Sequence, residues 1–227
     1  MSAKMVRLHQ VGKKYPSGKY ALRNVSFGLE RGEFAYITGT NGAGKTTLLK
    51  LLFAMEAASE GSIFVNSREI SHLPKGKVST YRREVGFVFQ DFKLLPDLNV
   101  YDNVSLPLEI RSMTKNEVDY RVKGVLQLVG LGDRALDFPG ALSGGEQQRV
   151  AIARSIIGKP SLLLADEPTG NLDNQTAREI MSLFMEINEM GTTVLIATHD
   201  ETLMKEYPSR IIELKKGLMS GDQQGNA

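Results

Sequence analysis

Apolar and polar residues alternate in two stretches near the start of the chain, residues 5–11 and 21–29, and this pattern predicts two strands. A Pro16-Ser17-Gly18 turn lies between them and predicts that they pair antiparallel. Later apolar runs predict more strands, and patterns with three- and four-residue spacing predict helices. The predicted strands are 34–38, 62–66, 86–90, 161–166, 192–198 and 209–215, and the predicted helical stretches are the one after 44, 100–157 and 174–190.

Strands that alternate with helices predict an α/β fold with a parallel-sheet core and crossover helices. We expect one domain over residues 1–227, with an antiparallel lobe at its start. The long helical stretch predicts an inserted helical lobe at about 91–158 that moves as a unit. The low-complexity end of the chain, about 219–227, predicts a flexible tail.

A glycine-rich turn joins the predicted strand 34–38 to the next helix with the spacing G-x-x-x-x-G-K-[ST]. Glycine lets backbone N–H groups approach a polyphosphate, and the helix adds the positive end of its dipole. Lys45 would bring a charge to the outer phosphates, and the Thr46 hydroxyl would bind Mg²⁺. The turn therefore predicts a nucleoside triphosphate site, the P-loop, made of Gly39, Thr40, Asn41, Gly42, Ala43, Gly44, Lys45, Thr46 and Thr47.

An apolar run at 162–165 ends in two carboxylates, Asp166 and Glu167. Because ligands of a parallel sheet bind beyond the carboxyl ends of its strands, Asp166 would lie beside the phosphates and hold Mg²⁺ through water. Glu167 projects differently and is suited to orient or deprotonate an attacking water. A surface acidic turn is the structural alternative, and the P-loop argues against it.

A second helix start follows at Ser143-Gly144-Gly145-Glu146-Gln147. Ser143 and Glu146 have the spacing of a capping box, which predicts that a helix begins here. The two glycines would leave the first N–H groups of this helix open to an anion. Since the chain already has one phosphate site, we predict that this end caps a nucleotide bound to another copy of the chain.

Composition narrows the function further. The formal net charge of +2 gives no support for bulk attraction to nucleic acid or lipid. The chain has no cysteine, which excludes disulfides and thiolate metal sites. No apolar run approaches the ~20 residues of a membrane span, and the N-terminal segment lacks the apolar core of a signal peptide. Any membrane association is therefore expected only through a partner.

Together with Leu142, the second helix start reads Leu-Ser-Gly-Gly-Glu-Gln, and here the chain resembles the ABC (ATP-binding cassette) ATPases. The resemblance covers about residues 5–218 and implies that ATP is bound and hydrolysed. It implies a homodimer in the ATP-bound state, in which two ATP molecules lie between the P-loop of one copy and the signature, Ser143 to Gln147, of the other.

The resemblance also assigns single residues. Tyr15 matches the aromatic residue that stacks on adenine, and Gln90 matches the glutamine that contacts Mg²⁺ and water. His199 matches the histidine at the γ-phosphate, and Asp173 ends the D-loop at 171–173. A lone tyrosine or histidine is more often a packing residue, but these positions follow in the order of the family. The implied catalytic residues are Lys45, Gln90, Glu167 and His199, and the implied Mg²⁺ ligands are Thr46, Gln90 and Asp166.

Within the family, residues 91–96, 100–108 and 145–150 resemble the group that contains the FtsE cell-division and LolD lipoprotein-release ATPases. The run Val-Tyr-Asp-Asn-Val at 100–104 and the Phe-Pro pair at 138–139 favour the FtsE type. This implies an FtsX-like integral membrane subunit, a location at the cytoplasmic face of the membrane at the division septum, and control of peptidoglycan hydrolases.

Two alternatives stay open. The ATPase of a lipoprotein-release or macrolide-export transporter would share the catalysis and have another membrane partner. A soluble ABC ATPase that acts on nucleic acid would need a coiled-coil insertion or a basic surface. The chain has neither sustained heptads nor a large positive charge, so direct nucleic-acid binding is not expected.

An apolar segment directly follows Gln90. The resemblance implies that a groove here receives a helix of the membrane subunit, and we assign Phe92, Leu94 and Leu95 to that groove. Leu106 and Leu108, further on, are interpreted as core of the helical lobe.

Overall fold

The strands form two sheets in the structure, a computed structural model that describes residues 4–224. In chain order the strands are β1 (Val6–Lys14), β2 (Tyr20–Leu29), β3 (Phe34–Thr38), β4 (Glu60–Val65), β5 (Arg68–Glu69), β6 (Val85–Val88), β7 (Leu162–Asp166), β8 (Thr193–Ala197), β9 (Arg210–Lys215) and β10 (Leu218–Gln223). The helices are α1 (Lys45–Leu52), α2 (Lys75–Arg82), α3 (Val100–Glu109), α4 (Lys115–Leu128), α5 (Gly144–Ile156), α6 (Asn174–Glu189) and α7 (Glu201–Glu206).

The central sheet has the strand order β10-β9-β3-β8-β7-β6. Its neighbouring strands run parallel except for β10, which pairs antiparallel with β9. Strands β7 and β8 are buried along their whole length, as expected for a parallel sheet covered on both faces. The smaller sheet, in the order β2-β1-β4-β5, is antiparallel throughout. The predicted α/β fold with a parallel core and an initial antiparallel lobe is therefore confirmed.

The two faces of the central sheet bury separate apolar clusters. Successive residues of a strand point to opposite faces, so Leu163 and Leu164 belong to different clusters. Helices α3 to α6 cover one face, and α1 with the antiparallel sheet covers the other. The leucines of α1 at 48, 49, 51 and 52 are all buried. Burial of each leucine side chain contributes about 1.5–3 kcal/mol to the free energy of folding. This packing anchors α1 against the sheet.

The predicted helical stretch 100–157 consists of three helices, α3, α4 and α5, separated by turns. Each helix begins at a capping residue. Asn99 accepts a hydrogen bond from the N–H of Asp102, and both Thr114 and Ser143 form capping boxes with the glutamate three residues on. That these helices move as one lobe stays a proposal.

The end of the chain differs from the predicted flexible tail, because β10 extends the central sheet through Gln223. The Arg210 guanidinium forms two hydrogen bonds with the Asp222 carboxylate, at 2.7 and 2.8 Å, and a third with Glu33 at 2.9 Å. This network raises the pKa of Arg210 and lowers that of Asp222. These ion pairs therefore help to hold β10 in the sheet, although its polar composition predicted disorder. Residues 225–227 of the predicted tail lie outside the described residues.

Besides β10, three elements were not predicted from the sequence: β5, α2 and α7. Helix α2 buries one residue, Tyr81, so it lacks the apolar period that marks a packed helix. Strand β5 has two residues, and α7 is a six-residue helix that begins at its cap, Asp200. Within residues 4–224, no helix combines the length and the apolar character that a membrane crossing requires.

Candidate functional site

The P-loop leaves the carboxyl end of β3 and leads directly into α1. Gly39 has a φ of 144° and Gly44 a φ of 111°, values that side-chain-bearing residues rarely adopt. A Cβ on Gly39 would lie 2.2 Å from the carbonyl oxygen of Leu214, and one on Gly44 would lie 2.7 Å from that of Ala21. Both positions therefore require glycine for conformation and for space.

A cavity of about 670 Å³ opens against this turn. Its lining runs from Gly39 and Asn41 past His199 to Glu213 on β9. The volume falls in the range of small-molecule sites, about 300–1,000 Å³. The glycine-rich turn thus borders a space large enough for a small ligand.

Lys45, the first residue of α1, is 6% exposed and has two partners. Its ammonium group donates to the carbonyl oxygen of Gly39 at 2.8 Å and lies 3.3 Å from Oε1 of Glu167. The other carboxylate oxygen of Glu167 lies 2.9 Å from Nδ1 of His199. Three of the predicted catalytic residues therefore form one continuous chain of contacts, which begins at the P-loop.

Glu167 has an unusual backbone conformation. Its φ is 46°, in the left-handed region, and its N–H donates to the carbonyl oxygen of Ala197 at the end of β8. Left-handed backbone at a residue other than glycine is strained, and such residues cluster at functional sites. The hydrogen bond to the neighbouring strand fixes the direction in which this carboxylate leaves the sheet.

Asp166, the last residue of β7, reaches α1. The Thr46 hydroxyl donates to Oδ1 of Asp166 at 3.1 Å. Burial raises the pKa of Asp166, while the hydrogen bond from Thr46 opposes that shift. The two predicted Mg²⁺ ligands from separate elements are therefore adjacent, and both offer the hard oxygen atoms that Mg²⁺ prefers.

Gln90 is exposed and follows β6 at the edge of the same site. Its carbonyl oxygen accepts a hydrogen bond from Asn171 at 3.5 Å, and its side-chain amide lies near Gly170. The N–H of Gly170 in turn donates to the carbonyl oxygen of Glu167. Gln90 is thus next to the loop that carries Glu167, with no direct hydrogen bond to Thr46 or Asp166 among the described residues.

Tyr15 follows β1 and lies over the start of α1. Its hydroxyl lies 3.4 Å from Oγ1 of Thr47 and donates to Oε1 of Glu56 at 3.0 Å. Glu56 was not predicted from the sequence, because nothing distinguishes a single glutamate in a polar loop. Only the fold reveals that it lies within reach of Tyr15.

The predicted signature forms the start of α5. Ser143 caps the helix: its N–H donates to Glu146 Oε2 at 2.8 Å, and its Oγ accepts from the Glu146 N–H at 3.3 Å. The hydrogen bond from the Ser143 N–H lowers the pKa of the Glu146 carboxyl group, and the Ser143 side chain adds to that shift. Gly144 is exposed, and the side chain of Gln147 turns back to the carbonyl oxygen of Leu142.

The predicted D-loop, 171–173, lies against the signature. Asp173 caps α6 and accepts a hydrogen bond from the Thr176 hydroxyl at 2.6 Å. A Cβ on Gly145 would lie 2.5 Å from the Thr176 methyl group, so α5 and α6 touch at this point. Among residues 4–224, no hydrogen bond or ion pair joins signature and P-loop. The start of α1, at the P-loop, and the start of α5, at the signature, are therefore surrounded by different residues.

A sequence profile described as "ABC transporter" matches residues 22–170 of the chain. Curated relatives include the "Cell division ATP-binding protein FtsE" of Escherichia coli (strain K12), 46% identical over 96% of this chain and 98% of that protein. The protein of the same name from Bacillus subtilis (strain 168) is 42% identical over 96% of each chain.

Solved structures agree with these relatives. One is a dimeric post-hydrolysis state of the ATP-binding cassette MJ0796 bound to ADP and Pi, with a TM-score of 0.90 and 37% identity over 98% of this chain and 100% of the other. A second MJ0796 dimer, described as a bacterial ABC transporter cassette, matches equally well.

Proposed function

We propose a cell-division function for this chain, on the premise that it belongs to the ABC transporter family and is an ATPase. In this proposal it is the ATP-binding subunit of a complex with an FtsX-like integral membrane protein. It binds at the cytoplasmic face of the membrane at the septum. ATP hydrolysis there drives a conformational change that controls peptidoglycan hydrolases.

The observation that carries the proposal is the extent of the similarity to the FtsE proteins. Identity of 42–46% extends over 96% of this chain and over 96–98% of the relatives from E. coli and B. subtilis. The similarity therefore includes the surfaces outside the ATP site, on which a specific membrane partner depends.

The contacts of the P-loop support the following roles. Lys45 holds the outer phosphates, and Glu167 orients and deprotonates the attacking water. His199, at 2.9 Å from Glu167, contacts the γ-phosphate and holds that carboxylate in place. Gln90 joins this site to the segment that follows it.

Mg²⁺ fits the same site. The hydroxyl of Thr46 and the carboxylate of Asp166 would hold the ion, the latter through water, together with Gln90. Bound there with the nucleotide, Mg²⁺ would neutralise charge that develops on the phosphate oxygens. The hydrogen bond between Thr46 and Asp166 already holds two oxygen ligands side by side at this position.

The dimeric cassette structures support a homodimer of this chain. We propose that the signature of one copy covers the nucleotide of the other, so that each site is complete only in the ATP-bound dimer. Two observations support this arrangement: Gly144 is exposed, and no described hydrogen bond or ion pair links the signature to the P-loop of the same chain.

A partly apolar surface beyond Gln90 supports a membrane partner. We define the docking surface as Leu95, Leu136 and Phe138, which are 41%, 79% and 50% exposed. Two hydrogen bonds, from Val100 and Tyr101 at the start of α3 to the carbonyl oxygens of Asp137 and Ala135, hold the segment of Leu136 and Phe138 against the helix that follows the Leu95 segment. Exposed apolar side chains that lie close together mark surfaces that bind other proteins.

The buried side chain of Asn103 organises the Leu95 segment. Its amide donates to the carbonyl oxygens of Leu95, Leu98 and Asn99, and its oxygen accepts from the N–H of Leu95. Leu94 packs against the core, as do Val100 and Leu108. Among the residues predicted to form the groove, we therefore assign Leu95 to contact with the partner.

The test is recovery of the membrane subunit from gently solubilised membranes with Leu95→Asp as the disrupting variant. We expect Leu95→Asp to keep ATP binding and thermal stability and to lose the membrane subunit. The matched control is Met190→Asp, which replaces another apolar residue, 64% exposed at the end of α6, and should keep the subunit.

The outcomes separate the interpretations. Recovery of an FtsX-like protein, together with a septation defect when the chain is depleted, supports the proposal. Recovery of a lipoprotein-release or export subunit with normal septation contradicts the cell-division role. Unfolding of Leu95→Asp, or full retention of the membrane subunit, contradicts the docking surface.

A further inference from the structure

The ring of Tyr15 is held at its hydroxyl end by the segment that follows α1. Its O–H donates to Oε1 of Glu56 at 3.0 Å, and it also lies 3.4 Å from the hydroxyl of Thr47. Thr47 belongs to the P-loop helix, and Glu56 lies four residues beyond that helix. Burial raises the pKa of Tyr15, so the phenol stays a hydrogen-bond donor.

Lys13 completes this arrangement from β1. Its ammonium group lies 3.1 Å from Oε2 of Glu56, the oxygen that Tyr15 does not use, and donates to the carbonyl oxygen of Ala57 at 2.9 Å. The same ammonium lies over the ring of Tyr15, 5.3 Å from its centre. One carboxylate thus bridges a tyrosine and a lysine from the same strand end, and the lysine covers one face of the ring.

The segment that carries Glu56 is itself held in place. The N–H of Met55 donates to the carbonyl oxygen of Lys50 in α1 at 2.8 Å. The guanidinium of Arg82 donates to the carbonyl oxygens of Phe53 and Ala54, at 3.2 and 3.0 Å. Glu56 therefore has a defined position relative to α1, and through α1 relative to the site of the phosphates.

A stacking ring contributes to affinity only when its face is already oriented toward the base, because free rotation would have to be lost on binding. Tyr15 lies at a turn, in which its N–H donates to the carbonyl oxygen of Lys19 and its carbonyl oxygen accepts from Gly18. Nothing in that turn determines the side-chain angles. The hydrogen bond to Glu56 holds the hydroxyl end of the side chain beside Thr47 of the P-loop helix.

We propose that Glu56 is a positioning residue for the nucleobase: it orients the ring of Tyr15 above the P-loop helix, with Lys13 on one face and the adenine on the other. This rests on the proposed function as an ATPase and on the resemblance to the family, which implies that Tyr15 stacks on the base. Glu56 touches neither the phosphates nor the reacting atoms, so its effect depends on the base alone.

The experiment compares two ligands on the full chain by isothermal titration calorimetry. ATP carries the base, and inorganic tripolyphosphate carries only the phosphates. Glu56→Ala should weaken ATP binding about tenfold, the scale of lost base stacking. Tripolyphosphate binding should stay within about twofold, because Lys45 and the glycine-rich turn are unchanged. Glu56→Gln should rescue most of the ATP affinity, since its amide oxygen still accepts from the phenol.

Tyr15→Phe removes the same hydrogen bond from the other end and leaves Glu56 paired with Lys13. It should weaken ATP binding to a similar extent, and the double variant Tyr15→Phe/Glu56→Ala should bind no more weakly than Tyr15→Phe. This variant also keeps the proposal testable if Glu56→Ala fails to fold.

Unchanged ATP affinity in Glu56→Ala would overturn the proposal, as would equal weakening of both ligands, which would assign Glu56 to the stability of the P-loop. Additive effects in the double variant would overturn it as well. Tyr15→Ala tests the stacking role of Tyr15 separately from the role of Glu56. If Tyr15→Ala leaves the preference for ATP over tripolyphosphate unchanged, the stacking role of Tyr15 is wrong. If it abolishes that preference while Glu56→Ala does not reduce it, only the role of Glu56 is wrong.

Discussion

The P-loop and the signature are both glycine-rich starts of helices, yet the chain builds them in opposite ways. At the P-loop the partners come from distant parts of the sequence: Thr46 bonds to Asp166, and Lys45 contacts Glu167. At the signature, the capping partners Ser143 and Glu146 are three residues apart. The first helix start is completed by the tertiary fold, whereas the second is completed locally and faces outward.

Backbone conformation shows the same difference. Gly39, Gly42, Gly44 and Glu167 all have positive φ angles, whereas no residue of the signature does. Glu167 is not a glycine, and left-handed backbone at such a residue persists only where the surroundings over-determine it. The P-loop end is therefore a preorganised site, and the signature is a regular helix start that awaits a partner. Substitutions at the P-loop end should therefore change the chemistry of ATP hydrolysis, and substitutions at the signature should change the assembly of two copies.

The largest effect is expected at the P-loop end, from Glu167→Gln. The amide keeps the shape of the side chain and can still accept from Lys45, but it cannot take a proton from water. The rate of ATP hydrolysis should fall by about 10²–10⁴-fold. ATP binding should persist, and an ATP-bound dimer should appear in gel filtration with ATP and Mg²⁺.

Glu201→Gln is the matched control, since Glu201 lines the cavity beside the P-loop, which Glu167 does not line, and pairs with Lys205 on the exposed side of α7. It should hydrolyse ATP at nearly the normal rate. If Glu167→Gln keeps turnover within about threefold of the unaltered protein, another group is the base and the role proposed for Glu167 is wrong.

These two ends also differ in what the sequence could predict. The glycine spacing around Lys45 and the capping box at Ser143 are local patterns, so the sequence alone suffices to place both helix starts. The contact between Glu167 and His199 joins the end of β7 to the end of β8, and only the resemblance to a family predicted His199. Local patterns predict helix starts, and tertiary contacts decide what surrounds them.

The missed features have the same cause. Glu56 and Asn103 act through contacts with Tyr15 and with the segment 95–99, and neither stands out by composition. Strand β10 has a sequence that resembles a loop, and it is held by its pairing with β9 and by the ion pair between Arg210 and Asp222. Such features depend on one specific partner rather than on periodicity, so a single sequence gives no signal for them.

We expect Ser143→Arg to have a small effect on the isolated chain and a larger effect on the assembly of two copies. The bulky cation would cover the exposed helix start, and ATP binding at the P-loop of the same chain should stay close to normal. Hydrolysis should fall by about 10²-fold, because a group that stabilises the transition state from the second copy would be displaced.

Mixing tests whether the two ends act across copies. Lys45→Ala removes the phosphate-binding charge of the other end, and alone it should bind ATP weakly. A heterodimer of Ser143→Arg and Lys45→Ala chains has one site with both ends intact, so the mixture should regain activity. Heterodimers that form without restored hydrolysis would contradict a site shared between copies.

The smallest effect is expected where the signature touches the D-loop helix. Gly145→Ala would place a Cβ 2.5 Å from the Thr176 methyl group, whereas Gly144→Ala would place one 3.6 Å from Leu172, an ordinary contact. Crowding of this kind costs about 1–2 kcal/mol. The melting temperature should fall by about 2–8 °C for Gly145→Ala. Gly144→Ala should melt at or slightly above the normal temperature, because its Cβ meets only an ordinary contact and alanine favours a helix more than glycine does.

A second substitution, at Thr176, tests whether its contact with residue 145 causes the loss of stability. Thr176 cannot simply rotate away from Gly145→Ala, because its hydroxyl is held by Asp173 at 2.6 Å. Thr176→Ser removes the methyl group and keeps that hydroxyl, so Gly145→Ala/Thr176→Ser should recover most of the lost stability in thermal unfolding. Equal stability of Gly144→Ala and Gly145→Ala, or no recovery in the double variant, would show that α5 and α6 adjust freely here. The signature would then be held by its capping box alone, and the contrast with the tightly built P-loop end would be sharper still.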